Sequence, residues 1–483
     1  MWGQSAAQAI AWGMVPGGGL FVPTVIPPMD WAQLRGLTYS EVARRVMGQF
    51  LAGIDEEAMN QAWAVYREGV FDSPNPAPLV HVGDFGVLEL WHGPTAAFKD
   101  MALQVLPYFL AASVREVNQA AQVLILVATS GDTGKAALEG FKNVPGTQIM
   151  VFYPDGGVSP VQERQMTTTN GHNTFVTAVK GNFDRCQSAV KEIFGSADLQ
   201  KRLQAKNMMF SSANSINWGR LLPQIVYYIW TYLQAVQTGK IEAGQPVNVV
   251  VPTGNFGNIL AAYYAQRMGL PIGRMICASN KNKVLSDFFN TGVYDIQRPF
   301  YLTMAPSMDI LISSNFERFL YEMNGRDAEQ VVRWFKDLTD RGKFEVDAGT
   351  LRACRDSMYT GWADEDDVLQ TIGNWYRDTG YVFDTHTAVG VKVYEDYRQK
   401  TGDDTYTVVV STASPFKFAS SVLKGVAGRA GKVDPWQALA SLSELSGWEI
   451  PRGLQGLTER PVQHADRCEP ADITVLLAKN FGI

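Results

Sequence analysis

The sequence predicts an α/β protein built on parallel sheets, and three observations predict it. Short apolar runs rich in β-branched residues recur at 121–129 (AQVLILVAT), 147–154 (TQIMVFYP), 173–181 (NTFVTAVKG), 246–252 (PVNVVVP), 274–280 (RMICASN) and 406–411 (YTVVVS). Such runs suit strands buried on both faces, as parallel strands are. Helical stretches such as GKAALEGFK and DRCQSAVKEIFG alternate with them, which is the order of βαβ units. Two of the strands end in glycine-rich loops that open helices, where ligands of such sheets bind.

The N-terminal part reads differently. After the turn-rich PGGGLFVPTVIPPMD (16–30), the stretches YSEVARRVMGQFLAG and DEEAMNQAWAVYREGV carry apolar residues at helical spacing. Residues 1–80 are therefore expected to form a small, mostly helical domain, with SPNPAPLV (73–80) as its boundary. No internal repeat or low-complexity tract is present, and 430–483 carries no usable motif.

Composition excludes several function classes. The 483 residues are 46% hydrophobic and 19% charged, enough for a large core in two or three domains. The net charge of −6 comes without a basic stripe, which argues against nucleic acid or an anionic membrane as partner. No apolar run reaches the length of a membrane span, and no Lys or Arg precedes Arg35 to begin a secretory signal. Cys186, Cys277, Cys354 and Cys468 are far apart and form no CxxC pair, so free thiols in a reducing compartment are expected. A cytoplasmic protein with no metal site is the consequent reading.

The first glycine loop is VATSGDTGKAAL, with Ser130, Gly131, Asp132 and Thr133 between strand and helix. The second is VVVPTGNFGNILAA, with Gly254, Asn255, Phe256, Gly257 and Asn258. Glycines let the backbone turn closely, and free N–H groups at a helix start favour an anion. Neither loop fits a nucleotide motif: GDTGKA has two residues between its glycines, where a P-loop has four, and Lys135 precedes Ala136. Two such loops together point to a phosphate-bearing ligand. A third strand ends in STASPFKF, where Ser411 and Thr412 offer short hydroxyls.

Lys99 lies in ELWHGPTAAFKDMALQVL, among Trp91, Phe98, Met101, Leu103 and Val105. Taken alone it could snorkel or pair with Asp100. A buried lysine, however, loses charge through desolvation and becomes an amine able to link to a carbonyl. A lysine amine beside two phosphate cradles is what pyridoxal phosphate requires. For Lys99 to serve so, Asp100 is expected to point away from its nitrogen.

The motifs also carry a family resemblance. ELWHGPTAAFKD resembles the Schiff-base segment of threonine synthases, usually E-L-x-H-G-P-T-x-A-F-K-D. ATSGDTG, SANSINWGRLLPQ (212–224), PTGNFGN, TMAPSMDI with SSNFERF (303–319), DTHTAVG (384–390) and STASPFKF resemble that family in the same order, over about residues 15–425. The resemblance implies a pyridoxal-phosphate enzyme of the tryptophan-synthase-β-like fold: two open, mostly parallel-sheet α/β domains with a small helical N-terminal domain. The implied division is 1–80 for the N-terminal domain, 81–104 with 216–483 for a large cofactor domain, and 105–215 for a smaller α/β domain. The implied reaction converts O-phospho-L-homoserine and water to L-threonine and phosphate. A phospho-lyase relative releasing 2-oxobutyrate would need the same groups, and a cofactor-binding protein without turnover is the remaining alternative.

By position, the resemblance makes Lys99 the Schiff-base lysine and proton shuttle. Gly254, Asn255, Phe256, Gly257 and Asn258 hold the cofactor phosphate, and Thr412 faces the pyridine nitrogen. Ser130, Gly131, Asp132 and Thr133 cradle the amino-acid end of the substrate. Candidates for the substrate phosphate are Arg164, Arg220, Lys281 and the Asn315–Arg318 segment. His92 and His386 lie within family motifs, whereas His81, His172 and His464 carry no argument. The chain departs from the family with Ser414 where His is frequent, Thr385 where Pro is frequent, and Trp91 where Phe is common. Family members are monomers or homodimers. With residues 1–80 alone ahead of the core, no control by S-adenosylmethionine through an N-terminal extension is expected.

Overall fold

The computed structural model describes residues 3–15, 18–117, 122–129, 131–428 and 434–483. In chain order the strands are β1 (Leu79–Val82), β2 (Phe85–Glu89), β3 (Gln122–Ala128), β4 (Thr147–Pro154), β5 (Thr174–Val179), β6 (Met208–Ser211), β7 (Val247–Pro252), β8 (Ile272–Ser279), β9 (Val293–Asp295), β10 (Lys343–Glu345), β11 (Met358–Trp362), β12 (Thr407–Ser411) and β13 (Asp466–Cys468). They form a six-stranded sheet in the order β1-β2-β12-β7-β8-β11, a five-stranded sheet in the order β13-β5-β4-β3-β6, and the small pair β10-β9. The five-stranded sheet is parallel throughout, and the six-stranded sheet is parallel except for the β1–β2 hairpin. The α/β class and the two parallel sheets thus follow the sequence reading.

The pattern of the strands explains their place. Every residue of β7 and β12 is buried, as the unbroken VNVVVP and TVVVS runs require between two helical layers. Because β2, β12 and β7 are parallel neighbours, the segments that follow them leave the sheet at one edge. These segments are the lysine strap, the Thr412 loop and the Gly254–Gly257 loop. One sheet edge thereby gathers three motifs spread over more than three hundred residues of chain.

The N-terminal part carries the helices Ala6–Trp12, Tyr39–Gly48 and Glu56–Trp63, with capping boxes at Ser5 and Thr38. They own no separate core: Tyr39, Val42, Val46 and Trp63 join Leu103, Phe109, Leu221 and Ile225 in one cluster. The expected extent of the large domain needs a correction at its end. Strand β13 pairs with β5, and Ile473 and Leu477 pack against Leu124, Leu126 and Met150, so the tail from Asp466 onward completes the smaller sheet. Arg164 holds the crossing tail by donating to the carbonyls of Leu457 (2.8 Å), Thr458 (2.9 Å) and Arg460 (2.6 Å). All four cysteines are buried and unpaired. No helix among the described residues is long and apolar enough to cross a membrane.

Two glycines press the lysine segment from both sides. A Cβ on Gly140, in the helix Asp132–Phe141, would lie 1.9 Å from the Leu103 carbonyl oxygen, and one on Gly453 would lie 2.0 Å from the Pro94 carbonyl oxygen. Both obstacles are backbone and cannot swing aside. Gly140→Ala is therefore expected to lose about 1–3 kcal/mol of stability through overpacking, measured by urea unfolding. An unchanged midpoint would show that this contact yields freely.

Candidate functional site

Lys99 follows a strap fastened to the neighbouring strand end. Phe98 N donates to the Thr412 carbonyl (2.8 Å), Ser414 N donates to the Ala96 carbonyl (3.0 Å), and Ala97 bridges Ala413. Within the strap, Ala96 adopts a left-handed conformation at φ 57°. A non-glycine residue there is strained, and such strain collects at functional sites. The strap's register places Lys99 on the Thr412 loop, at the first turn of the short helix Asp100–Leu103.

Asp100 points away from the lysine nitrogen, as expected. Its two oxygens accept from Thr95 N and Thr95 Oγ1, each at 2.8 Å. Burial raises its pKa to about 6, against the lowering effect of the two Thr95 bonds. Its work is to hold the strap: a Cβ on Gly93 would lie 2.5 Å from the Asp100 Cβ, so the turn closes only around glycine.

A different carboxylate faces the lysine. Asp132 Oδ2 stands 3.6 Å from Lys99 Nζ, and its Oδ1 stands 2.8 Å from Lys417 Nζ. Gln162 Nε2 donates to Asp132 Oδ1 at 2.9 Å. Ser307 Oγ lies between the groups, 3.4 Å from Lys99 Nζ and 3.4 Å from Asp132 Oδ2. Burial lowers the Lys99 pKa; Asp132 partly restores it, and the like charges of Lys417 and Arg220 lower it again, to about 8. Burial raises Asp132, but Lys417 and Lys99 outweigh this and hold its carboxyl well below the usual range. Asp132, assigned by resemblance to the substrate loop, thus also sets the charge state of the lysine.

The Gly131–Thr133 loop turns on Thr129, whose Oγ1 accepts from Gly131 N and Gly134 N at 3.0 Å each. Gly131 has φ 140°, and a Cβ there would lie 2.4 Å from Gln162 Nε2, so glycine is required. Ser130 falls outside the described residues. Thr133 lies in the first turn of the helix Asp132–Phe141 and keeps partial exposure.

The second loop opens the helix Gly257–Arg267. Phe256 stands at its N-cap in a left-handed conformation, φ 62°, without a side-chain cap, and no acidic residue occupies the first turn. The helix start therefore keeps its positive end for an anion. Gly254 packs so tightly that a Cβ would lie 2.5 Å from the Ser307 carbonyl oxygen. Asn255 is exposed, and its carbonyl accepts from Asn315 N (3.1 Å) and Nδ2 (3.0 Å). Asn258 Oδ1 accepts from Tyr227 (2.7 Å) and Tyr228 (2.6 Å), while its buried Nδ2 has no partner among the described residues. An unmatched buried donor is costly in isolation and calls for an acceptor. A buried amine of lowered pKa, an uncapped helix start and an unmatched amide fit a phosphate-bearing aldehyde such as pyridoxal phosphate.

Ser307 and Lys417 escaped the sequence reading and join the lysine only in three dimensions; His386, singled out within its motif, stands with Asp384 behind Ser307. Ser307 N donates to His386 Nε2 (3.1 Å), so the neutral ring carries its proton on Nδ1, toward Asp384 Oδ1 (2.9 Å). Asp384 also caps the helix Thr385–Thr401 and accepts from Thr387 Oγ1, which in turn accepts from Ser411 Oγ (3.1 Å). Trp91 Nε1 donates to that same Ser411 oxygen at 3.0 Å. His92, by contrast, pairs with Glu89 at 2.7 Å behind the strap; burial lowers its pKa, but Asp72 and Glu89 raise it to about 9.

Among the phosphate candidates, the structure separates Arg220 from the rest. Arg164 is spent on the tail, and Arg318 donates to the carbonyls of Phe21 and Ile216 and to Asn315 Oδ1. Lys281 is exposed, over the Tyr301 ring at 4.6 Å. Arg220 is buried, bonds only the Ala213 carbonyl (2.8 Å) through Nη1 among the described contacts, and acts on the Lys99 charge. Burial lowers its pKa to about 10.

The comparisons with known proteins bear on the family. The family model described as pyridoxal-phosphate dependent enzyme matches residues 70–413, and the models for the threonine synthase N terminus and C-terminal region match 3–64 and 387–475. Threonine synthase-like 1 of Macaca fascicularis is 39% identical over 435 residues, 87% of this chain but 58% of its own length, so the chain spans somewhat over half of that relative. Threonine synthase of Saccharomyces cerevisiae is 37% identical, covering 88% of this chain and 87% of its own. The crystal structure of pyridoxal-phosphate-bound threonine synthase from Brucella melitensis superposes with a TM-score of 0.84 at 35% identity, covering 98% of this chain and 95% of that one. The chain belongs to the threonine synthase family of pyridoxal-phosphate dependent enzymes.

Proposed function

We propose that the protein is a threonine synthase, converting O-phospho-L-homoserine and water to L-threonine and phosphate. The observation that carries this reading is the buried Lys99 amine, with its lowered pKa, where the three motif-bearing strand ends meet. The four unpaired cysteines suit a reducing cytoplasm.

When bound, pyridoxal phosphate supplies an aldehyde for covalent linkage to an amine and a ring that delocalises negative charge from the substrate α-carbon. Lys99 is the amine for that linkage. The Gly254–Asn258 loop takes the cofactor phosphate, with Asn258 Nδ2 as a ready donor. Thr412 offers the ring nitrogen a hydroxyl, a weaker partner than a carboxylate. Gly131, Asp132 and Thr133 receive the amino-acid end of the substrate, joined by Ser130. Arg220, a buried cation without a carboxylate partner among the described residues, takes the substrate phosphate as a charge-assisted donor.

Protons are moved by Lys99. Its pKa of about 8 lets the amine both take and return a proton near neutrality. Protons leave the α- and β-carbons, and the C–O bond at the γ-carbon breaks with its electrons on phosphate. A proton returns to the γ-carbon, water adds its oxygen at the β-carbon, and the α-carbon is reprotonated. Water addition is the step that separates threonine from 2-oxobutyrate.

NMR of the carbon product decides the reading. Threonine is expected; 2-oxobutyrate would make the protein a phospho-lyase, and no consumption would exclude both. Lys99→Ala is expected to lower kcat at least about 10³-fold, in the range that loss of one general acid–base group brings. Arg220→Met is expected to raise KM by roughly 10- to 100-fold, the worth of a charge-assisted bond, with cofactor binding unchanged. A loss of cofactor affinity instead would move Arg220 to the cofactor phosphate.

A further inference from the structure

Lys417 is among the most deeply buried charges in the molecule, its side chain fully out of solvent. It lies in the short helix Pro415–Phe418 just past Thr412. Its Nζ reaches Asp132 Oδ1 at 2.8 Å and donates to the Thr95 carbonyl at 2.9 Å. One ammonium therefore ties the lysine strap to the helix that leaves the smaller sheet. Lys99 is the more distant partner of the same carboxylate, at 3.6 Å on the other oxygen.

This division has a chemical consequence. A buried carboxylate without a counter-charge is strongly unfavourable. Lys99 cannot be a permanent counter-charge, because its amine is engaged whenever the cofactor is bound. We propose that Lys417 is a positioning residue for the reaction: it is the standing counter-ion of Asp132, keeping that carboxylate ionised and in place while Lys99 is released to act as an amine. The proposal rests on the reading of Lys99 as the cofactor amine. Among the described residues, the charged groups that act on Lys99 are Asp132 from the helix Asp132–Phe141, Lys417 from the Thr412 loop, and Arg220 from the helix Trp218–Gln237. Asp100 lies on the far side of the strap, held by Thr95.

The test reads Lys99 directly in the cofactor-free full chain. Acetic anhydride modifies only the neutral amine, and peptide mapping gives the rate at Lys99 as a function of pH. In the parent chain that rate is expected to rise through a midpoint of about 8. In Lys417→Met, Asp132 is left to Lys99 alone and a neighbouring positive charge is gone. Both changes favour the ammonium, so the midpoint rises by about one unit and the rate at pH 8 falls about fivefold. Lys417→Arg keeps the parent midpoint, because the charge is retained. The double variant K417M/D132N loses the rise, because the carboxylate that caused it is gone.

A folded K417M chain with the parent midpoint overturns the proposal, as does a K417M midpoint that the double variant fails to restore. Should K417M alone fail to fold, folding of K417M/D132N supports the counter-ion role, and failure of both assigns Lys417 to packing and overturns it. None of these readouts involves substrate, so they stay separate from the product measurement that tests the synthase reading.

Discussion

One buried carboxylate holds the site together. Asp132 is stripped of water, and it stays ionised only because two ammonium groups and the Gln162 amide converge on it. The groups come from separate places: Asp132 and Gln162 from the smaller sheet's helices, Lys99 and Lys417 from segments leaving the larger sheet. A charge that must be shared forces these elements together at hydrogen-bond distance, and the surrounding packing follows. Gly140 and Gly453 give the backbone room for that approach, and Gly131 lets the Asp132 turn fit beneath Gln162. The electrostatic requirement and the steric one act on the same few residues.

The sequence was informative where the chemistry is local. Unbroken apolar runs announced β3, β4, β5, β7, β8 and β12, because a strand covered on both faces has no polar side to show. The hairpin β1–β2 escaped notice, since HVGDFGVLEL mixes polar and apolar residues and its turn is only two residues long. Strand β13 is three residues long and exposed at two of them, so nothing in DRC marks it. In the site, Lys99 and the two glycine loops were legible because each carries its own reason in adjacent residues. Ser307 and Lys417 were not. Ser307 stands 208 positions from Lys99, and its relevance is a matter of where two loops meet. The PSM and PFK segments that hold them look like ordinary turns. Asp100, next door, faces away from the lysine as expected, and the carboxylate beside the amine lies 33 positions along at Asp132 (132 − 99), where nothing in the sequence marks it as a neighbour.

The departures from the family pattern find physical places. Thr385 stands where proline is frequent and donates through Oγ1 to the Met304 carbonyl at 2.6 Å, a bond proline cannot make. It thereby steadies the turn carrying Ser307. Trp91 uses a ring nitrogen that phenylalanine lacks to bond Ser411. Ser414 caps the short helix of Lys417 by accepting from Phe416 N at 3.4 Å. Thr385 and Trp91 thus each add a polar contact that the frequent residue could not make.

The late return of β13 to the smaller sheet bears on how the chain is made. Strands β3 to β6 are complete within residues 122–211, yet β5 remains an open edge until Asp466–Cys468 arrives to pair with Thr177–Val179. An unpaired parallel strand is a template for other chains. During synthesis that edge stays bare while the whole larger sheet is translated. The nascent protein thus passes through a long interval in which its first sheet stands one strand short.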